Sequence, residues 1–293
     1  AAAALQNALK AKPAPFYDNK FAERITIGNF EDDFAKIKDA DWIIEVVVER
    51  LDIKKQVYAK VEEHRSKGSL VSSNTSGIPI HLMAEGRSDD FKKHFCGTHF
   101  FNPVRYMRLL EIIPTQDTDP AVTDFFMQYG DIILGKQTVL CKDTPGFIGN
   151  RVGVYAMSKI YQLTYESGLG IDTVDALTGP AIGRPKTGTF RLGDLVGLDT
   201  AYHVVNGLRE NCPDDEQRST FDVLPFTKFL YENKFLGNKS GQGFYKKTAE
   251  KDAKGRPVVL ALNLKTLEYE QSQKEKLSIL DTLKQIEDLP KRL

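Results

Sequence analysis

The 293-residue sequence has only three cysteines, Cys96, Cys141 and Cys212. They are odd in number, far apart and outside any metal-type spacing, which argues against a disulfide framework and against a zinc site. Net charge is absent as well, because 40 Lys and Arg residues cancel 40 Asp and Glu residues. The broad positive field of a nucleic-acid binder is therefore missing. No apolar run approaches the roughly 20 residues that cross a bilayer, and the N-terminus lacks the charged and apolar regions of a secretory signal. The expectation is a soluble, cytoplasmic chain with no membrane insertion and no nucleic-acid partner. A glycine-rich turn of the dinucleotide-binding kind is lacking too: Gly168-Leu169-Gly170 and Gly241-Gln242-Gly243 come closest, yet neither follows a predicted strand and opens a helix.

What is present follows α/β grammar over residues 25–141, where short apolar runs alternate with amphipathic stretches. Strands are predicted at 25–27 and 42–48. The second, Trp42-Ile43-Ile44-Glu45-Val46-Val47-Val48, is nearly continuous and β-branched, as expected of a central parallel strand covered on both faces. Leu51, Ile53, Val57 and Val61 give a helix over 51–65; strands follow at 70–73, 95–101, 109–113 and 138–141, with helices at 78–85 and 121–129. Asp143-Thr144-Pro145-Gly146 reads as a helix start, Thr144 capping and Pro145 in the first turn, with the helix running to Ser167 and Gly168 as its left-handed stop. Further helical segments fall near 171–177, 192–195, 201–208 and 225–231. The length favours two units, and the pattern gives a mixed domain over 1–142 followed by an all-α domain over 143–246. The alanine-rich opening without a methionine, and the Lys- and Glu-rich segment 247–293 with a helix-like run at 276–286, read as cut ends, the latter a connector to a further domain.

Four features carry chemistry. His99 lies in Thr98-His99-Phe100-Phe101-Asn102-Pro103, at the end of a predicted strand, where ligands of open α/β sheets gather; a core histidine satisfied by a backbone carbonyl is the alternative. An odd separation of five places His94 on the opposite face of the same strand. Glu111 interrupts the apolar strand Leu109-Leu110-Glu111-Ile112-Ile113, where an ionised carboxylate needs a partner. A neighbouring imidazole would serve, its tautomer fixed by the carboxylate; an edge-strand residue facing solvent is the other reading. Ser73-Asn74-Thr75-Ser76-Gly77 places hydroxyl and amide groups at another strand end, as a helix cap or as part of a site. Asn150 breaks the helical stripe Phe147, Asn150, Val154, Met157, Tyr161 and so pairs with another domain or faces a ligand.

Together, residues 72–77, Thr98 to Pro103, Leu110-Glu111 and Asp143 to Arg151 resemble the 3-hydroxyacyl-CoA dehydrogenases of fatty-acid β-oxidation. The resemblance extends in order to Tyr245 through Gly188-Thr189-Phe190-Arg191-Leu192, Asp194, Gly197-Leu198-Asp199 and Lys239-Ser240-Gly241-Gln242-Gly243-Phe244-Tyr245. The tail resembles the long bacterial members, in which further domains and an enoyl-CoA hydratase module are fused to this unit. The resemblance implies an incomplete Rossmann-type doubly wound sheet followed by a helical substrate and dimerisation domain, with the first strand, glycine-rich turn, helix and second strand of the family missing. It implies NAD as cofactor, an acyl-CoA substrate and a homodimer formed through the helical domain. His99 would be the general base and Glu111 its orienting acid, while Ser76 and Asn150 would hydrogen-bond the substrate oxygens. Glu49, Lys54, Ser76, Asn102 and Lys239 would approach the cofactor. Set against this enzyme is a non-catalytic, stable remnant that dimerises through its helices.

Overall fold

The computed structural model describes residues 1–271 and 277–292. The chain forms two compact units, Ala1–Asn150 and Arg151–Leu293.

In the first unit, α1 (Ala2–Lys10) precedes β1 (Trp42–Glu45), α2 (Leu51–His64), β2 (Leu70–Ser73), α3 (Ile80–Ala84), α4 (Asp89–Lys93), β3 (Phe95–Phe100), β4 (Leu109–Pro114), α5 (Pro120–Gln128) and β5 (Gln137–Leu140). Among the described residues the strands lie in the order β1-β2-β3-β4-β5. The sheet is mixed, since β3 and β4 pair antiparallel while the other neighbours are parallel. The two-residue period of a strand sorts side chains onto two faces. Cys96, Leu110 and Ile112 join Val122 and Phe126 on one side; Val71, Phe95 and Ile113 join Tyr58, Ile80, Met83 and Phe91 on the other. Gly97 lies on this second face, where an added Cβ would stand 2.8 Å from Ile80 Cδ1 and 2.9 Å from Ile113 Cδ1. Only hydrogen lets α3 approach β3 so closely.

Three expectations for this unit are corrected. Residues 25–27 form no strand, and Ile25 and Ile27 are exposed; without a neighbouring strand to pair with, apolar residues alone do not make one. The strand expected over 42–48 stops at Glu45 and is the edge of the sheet, not its centre. Val46 and Val48 are exposed beyond it. His94 caps the end of α4 and precedes β3, so it does not share a strand with His99.

The helix expected from Pro145 begins four residues later, as α6 (Gly149–Ser167). Gly146 and Phe147 both adopt positive φ, which a helix cannot accommodate. Asp143, read as part of that helix start, instead accepts the amides of Ile80 (2.6 Å) and His81 (2.8 Å) at the opening of α3. At its far end α6 stops at Ser167 with Gly168 left-handed, as its sequence indicated.

The second unit continues α6 and adds α7 (Ile171–Leu177), α8 (Phe190–Val196), α9 (Leu198–Asn211) and α10 (Pro225–Glu232). Up to Ser240 its elements are helical, as expected. A three-stranded antiparallel sheet follows, β6 (Tyr245–Lys251), β7 (Pro257–Leu262) and β8 (Tyr269–Gln271), then α11 (Ser278–Lys284) and α12 (Leu289–Arg292). The segment expected as a connector to a further domain thus contributes Ala261, Leu262 and Leu264 to the core built on Tyr161, Phe190, Phe226 and Phe244. The reason is local. Asp252 accepts the amides of Lys254 and Arg256 and Gly255 takes positive φ, so the chain reverses and pairs with itself. Of the helix-like run 276–286, position 276 lies outside the described residues.

Candidate active site

The antiparallel register of β3 and β4 sets His99 directly opposite Glu111. Both are buried, and His99 Nδ1 stands 2.6 Å from Glu111 Oε2. The other carboxylate oxygen, Oε1, accepts the amides of Ile148 (2.9 Å) and Gly149 (2.7 Å) and lies 3.6 Å from Cys141 Sγ. Glu111 therefore does two things: it holds the imidazole and it supplies the negative charge that the free amides opening α6 favour. Burial pushes the Glu111 carboxyl up. The hydrogen bond from His99, the Gly149 amide, the imidazole's charge and the Ile148 amide outweigh it and hold the group below its ordinary 4.5. The same surroundings act oppositely on Cys141, whose thiol is pushed up to about 12 by burial and then by the neighbouring carboxylate. A neutral thiol beside a carboxylate is a donor, not a nucleophile.

A hydrogen-bonded Nδ1 leaves Nε2 as the imidazole's reactive edge, and among the described residues nothing hydrogen-bonds it. The ring lies between Phe101 and Phe147, with centroids 4.5 and 5.8 Å away. Gly149 admits this packing, because a Cβ there would fall 2.6 Å from Phe101 Cζ. The next residue, Asn150, donates from Nδ2 to the main-chain oxygen of Ser76 at 3.0 Å. One turn thus ties the acid behind His99 to the loop after β2.

Ser76 is exposed at that loop, and its amide donates to Glu49 Oε1 at 3.0 Å. Glu49 also accepts from Thr75 Oγ1 at 2.5 Å and pairs with Lys54 at 3.2 Å. Asn102 is exposed just past β3, joined to Pro103 by a cis peptide bond. His99, Glu111, Ser76, Asn150, Glu49, Lys54 and Asn102 all belong to the first unit. Lys239 belongs to the second, where its ammonium pairs with Asp199.

Sequence reasoning missed a buried group at the end of β1. Glu45 binds Lys54 Nζ through both oxygens (2.9 and 3.0 Å), Tyr58 Oη (2.8 Å), Ser73 Oγ (2.7 Å) and the Val47 amide (2.6 Å). The signal was available. Glu45 is an acid within an apolar strand, the same anomaly that singled out Glu111, and Lys54 and Tyr58 lie four apart on one face of α2.

Comparison with known proteins identifies the family. Residues 1–144 match the model of the 3-hydroxyacyl-CoA dehydrogenase NAD binding domain, and residues 146–247 match that of the 3-hydroxyacyl-CoA dehydrogenase C-terminal domain. The chain belongs to the 3-hydroxyacyl-CoA dehydrogenase family. Its cofactor is the NAD of that N-terminal domain. It is 49% identical over 282 residues to a probable 3-hydroxyacyl-CoA dehydrogenase of Bacillus subtilis, covering 96% of this chain and 35% of that protein. It is 34% identical over 276 residues to a putative fatty acid oxidation complex trifunctional enzyme of Rickettsia felis, covering 94% of this chain and 38% of that one. The chain thus spans little more than a third of the length of these two relatives. Among solved structures, 3-hydroxybutyryl-CoA dehydrogenase of Escherichia coli K12 superposes with a TM-score of 0.72 at 28% identity, over 86% of this chain and 51% of that one. Among the described residues no helix is long and apolar enough to cross a membrane, and no three His, Cys, Asp or Glu side chains group as metal ligands.

The polar residues at this sheet edge fit a dinucleotide at its reacting end. Ser76, Asn102 and the outer part of Glu49 are exposed polar groups just past the carboxyl ends of β2, β3 and β1, the edge where open α/β sheets bind ligands.

Proposed function

We propose that the protein oxidises a (3S)-3-hydroxyacyl-CoA to the 3-oxoacyl-CoA in fatty-acid β-oxidation, with His99 as general base. The observation that supports this reading above all is the buried 2.6 Å contact between His99 Nδ1 and Glu111, together with an unbonded Nε2. Glu111 holds the Nδ1 proton in place, so Nε2 accepts the proton of the substrate's 3-hydroxyl. As that proton leaves, the imidazole becomes a cation, and the carboxylate, its pKa held below the ordinary value, stabilises it. NAD would be held by Glu49, Ser76 and Asn102 with Lys54 behind them, and would supply the acceptor for the hydride that leaves C3. Ser76 and Asn150, linked through the Ser76 main-chain oxygen, orient the substrate oxygens so that C3 is presented in one pose.

The protein acts as a cytoplasmic homodimer through its helical domain. Leu192, Leu195 and Val196 support this: all three are exposed on α8, an apolar stripe that a second copy would cover. The test of the reaction is consumption of NADH on addition of acetoacetyl-CoA, followed by absorbance. Turnover by the parent chain with none by His99→Gln supports the proposal. A folded chain that consumes no NADH leaves the non-catalytic, dimerising remnant as the reading to pursue.

A further inference from the structure

Glu45 occupies a position that neither the base nor its acid explains. It is the last residue of β1, buried, and all of its polar capacity is taken up by Lys54, Tyr58, Ser73 and the Val47 amide. Lys54 is equally enclosed, with 1% of its side chain exposed. An ammonium has three protons. Two of them meet the two oxygens of Glu45, and the ammonium also pairs with Glu49 Oε2 at 3.2 Å. So enclosed, Lys54 presents almost no surface to a ligand. Whatever this lysine does for a bound molecule passes through Glu49.

Glu49 is the junction between this buried pair and the site. Its Oε1 receives the Ser76 amide and the Thr75 hydroxyl, and the Ser76 carbonyl in turn receives Asn150. The main chain repeats the connection: the Glu45 carbonyl accepts the Asn74 amide at 2.9 Å, and Asn74 Oδ1 accepts the amide of Phe100, the residue after His99, at 2.9 Å. Burying an ion pair is weak evidence of a stabilising purpose, because desolvation offsets most of the attraction. Its product here is geometric: two carboxylates are held at a fixed spacing by one shared cation, beneath the loop 73–77 that carries Ser76.

We infer that Glu45 is a positioning residue of the dehydrogenase site, acting through Lys54 and Glu49 to hold the loop 73–77 in its ligand-binding arrangement. The inference rests on the proposed reaction for its functional meaning, although the relay itself is tested without turnover. Two variants break it. Glu45→Asp keeps the charge but withdraws the carboxylate by one methylene; the pair Glu45→Gln with Lys54→Met removes both charges together, so neither is left buried alone. Tyr58→Phe deletes a hydrogen bond to the same carboxylate while sparing the link to Glu49, and serves as the stability control.

Amide hydrogen exchange at Ser76 in the full chain is read alongside thermal unfolding and steady-state kinetics. The expected result is exchange at Ser76 about tenfold faster in both relay variants, the loss of roughly one charged hydrogen bond. It is accompanied by a KM for NAD raised about tenfold with kcat little changed, as for a loss of binding expressed equally in ground and transition states. Tyr58→Phe should lower the unfolding temperature and leave Ser76 exchange and KM as in the parent. If Ser76 exchange in the relay variants equals that of the parent, or if Tyr58→Phe accelerates it equally, the inference is overturned. A parent chain that consumes no NADH counts against the proposed reaction alone, since the exchange data still decide the relay.

Discussion

The two units of the molecule bury carboxylates in opposite ways. In the first, Glu111 faces an imidazole, and although two amides also reach it, the group is held below its ordinary pKa. In the second, Asp175 accepts the successive amides of Thr189, Phe190 and Arg191 and the Tyr245 hydroxyl, and Asp194 accepts the amides of Phe244 and Tyr245. Burial outweighs these donors: the Asp175 carboxyl is raised and that of Asp194 is pushed up to about 6. A carboxylate met by main-chain amides fastens one segment to another, whereas one met by an ionisable ring can hold and release charge. The glycines around Asp194 show how tight that fastening is. At Gly243 an added Cβ would fall 2.1 Å from Asp194 Oδ1, and at Gly237, where φ is positive, 2.4 Å from its main-chain oxygen.

The largest expected effect separates the two regions by what is lost. His99→Gln should lower kcat by about 10³-fold, within the range for a displaced general base, while circular dichroism and the unfolding temperature stay near those of the parent. If turnover survives, the first unit's carboxylate is no more than another fastener. Asp194→Ala should do the reverse, costing about 3 kcal/mol in urea unfolding because two buried amides lose their acceptor. Unchanged stability would remove the structural half of the contrast.

Glu111→Gln tests the hybrid character of the first site. The amide side chain can still accept from Ile148 and Gly149 but cannot balance an imidazolium, so kcat should fall by about 10²-fold against a stability loss of about 1 kcal/mol. A stability loss as large as that of Asp194→Ala, with kcat intact, would place Glu111 among the fasteners.

Acid sensitivity gives the smallest effect, and its sign differs between the regions. Glu111 has a folded pKa below its ordinary 4.5; its contribution is present above that value and is lost as pH falls through the folded one. Asp194 has a folded pKa raised from 3.8 to about 6; its contribution is fully present below 3.8 and is lost as pH rises through about 6. From about pH 7 to about pH 5 the parent should therefore gain stability relative to Asp194→Asn, as measured by paired urea titrations. A constant difference across that interval would show that the Asp194 carboxyl does not titrate there.

Much of the site was legible because its residues are anomalies of type. An acid inside Leu-Leu-Glu-Ile-Ile must find a partner, and a histidine just before a strand-ending Asn-Pro sits where ligands gather. The same reasoning would have found Glu45, which was read as one letter of an apolar run. The Asp143-Thr144-Pro145-Gly146 motif looked like a helix start because its residues suit one, yet Asp143 caps a different helix, and the helix that follows is opened by Glu111 from another strand. Tail strands β6 to β8 went unread for a simpler reason: a Lys- and Glu-rich stretch hides the alternation that a hairpin turn at Asp252–Gly255 would have exposed.

By itself, the sequence determined which segments are strands or helices wherever periodicity and turn residues agree, and which polar side chains could not be buried unpaired. Those are local matters, fixed by the two-residue and 3.6-residue periods and by the penalty for a lone charge in an apolar run. Only the tertiary structure decided the pairings: that His99 stands opposite Glu111, that β1 lies at an edge, that the amides opening α6 belong to Glu111, and that Lys54 pairs with both Glu45 and Glu49. Register and partner choice depend on contacts between residues distant in the chain, and a one-residue slip of β4 would have turned Glu111 to the opposite face.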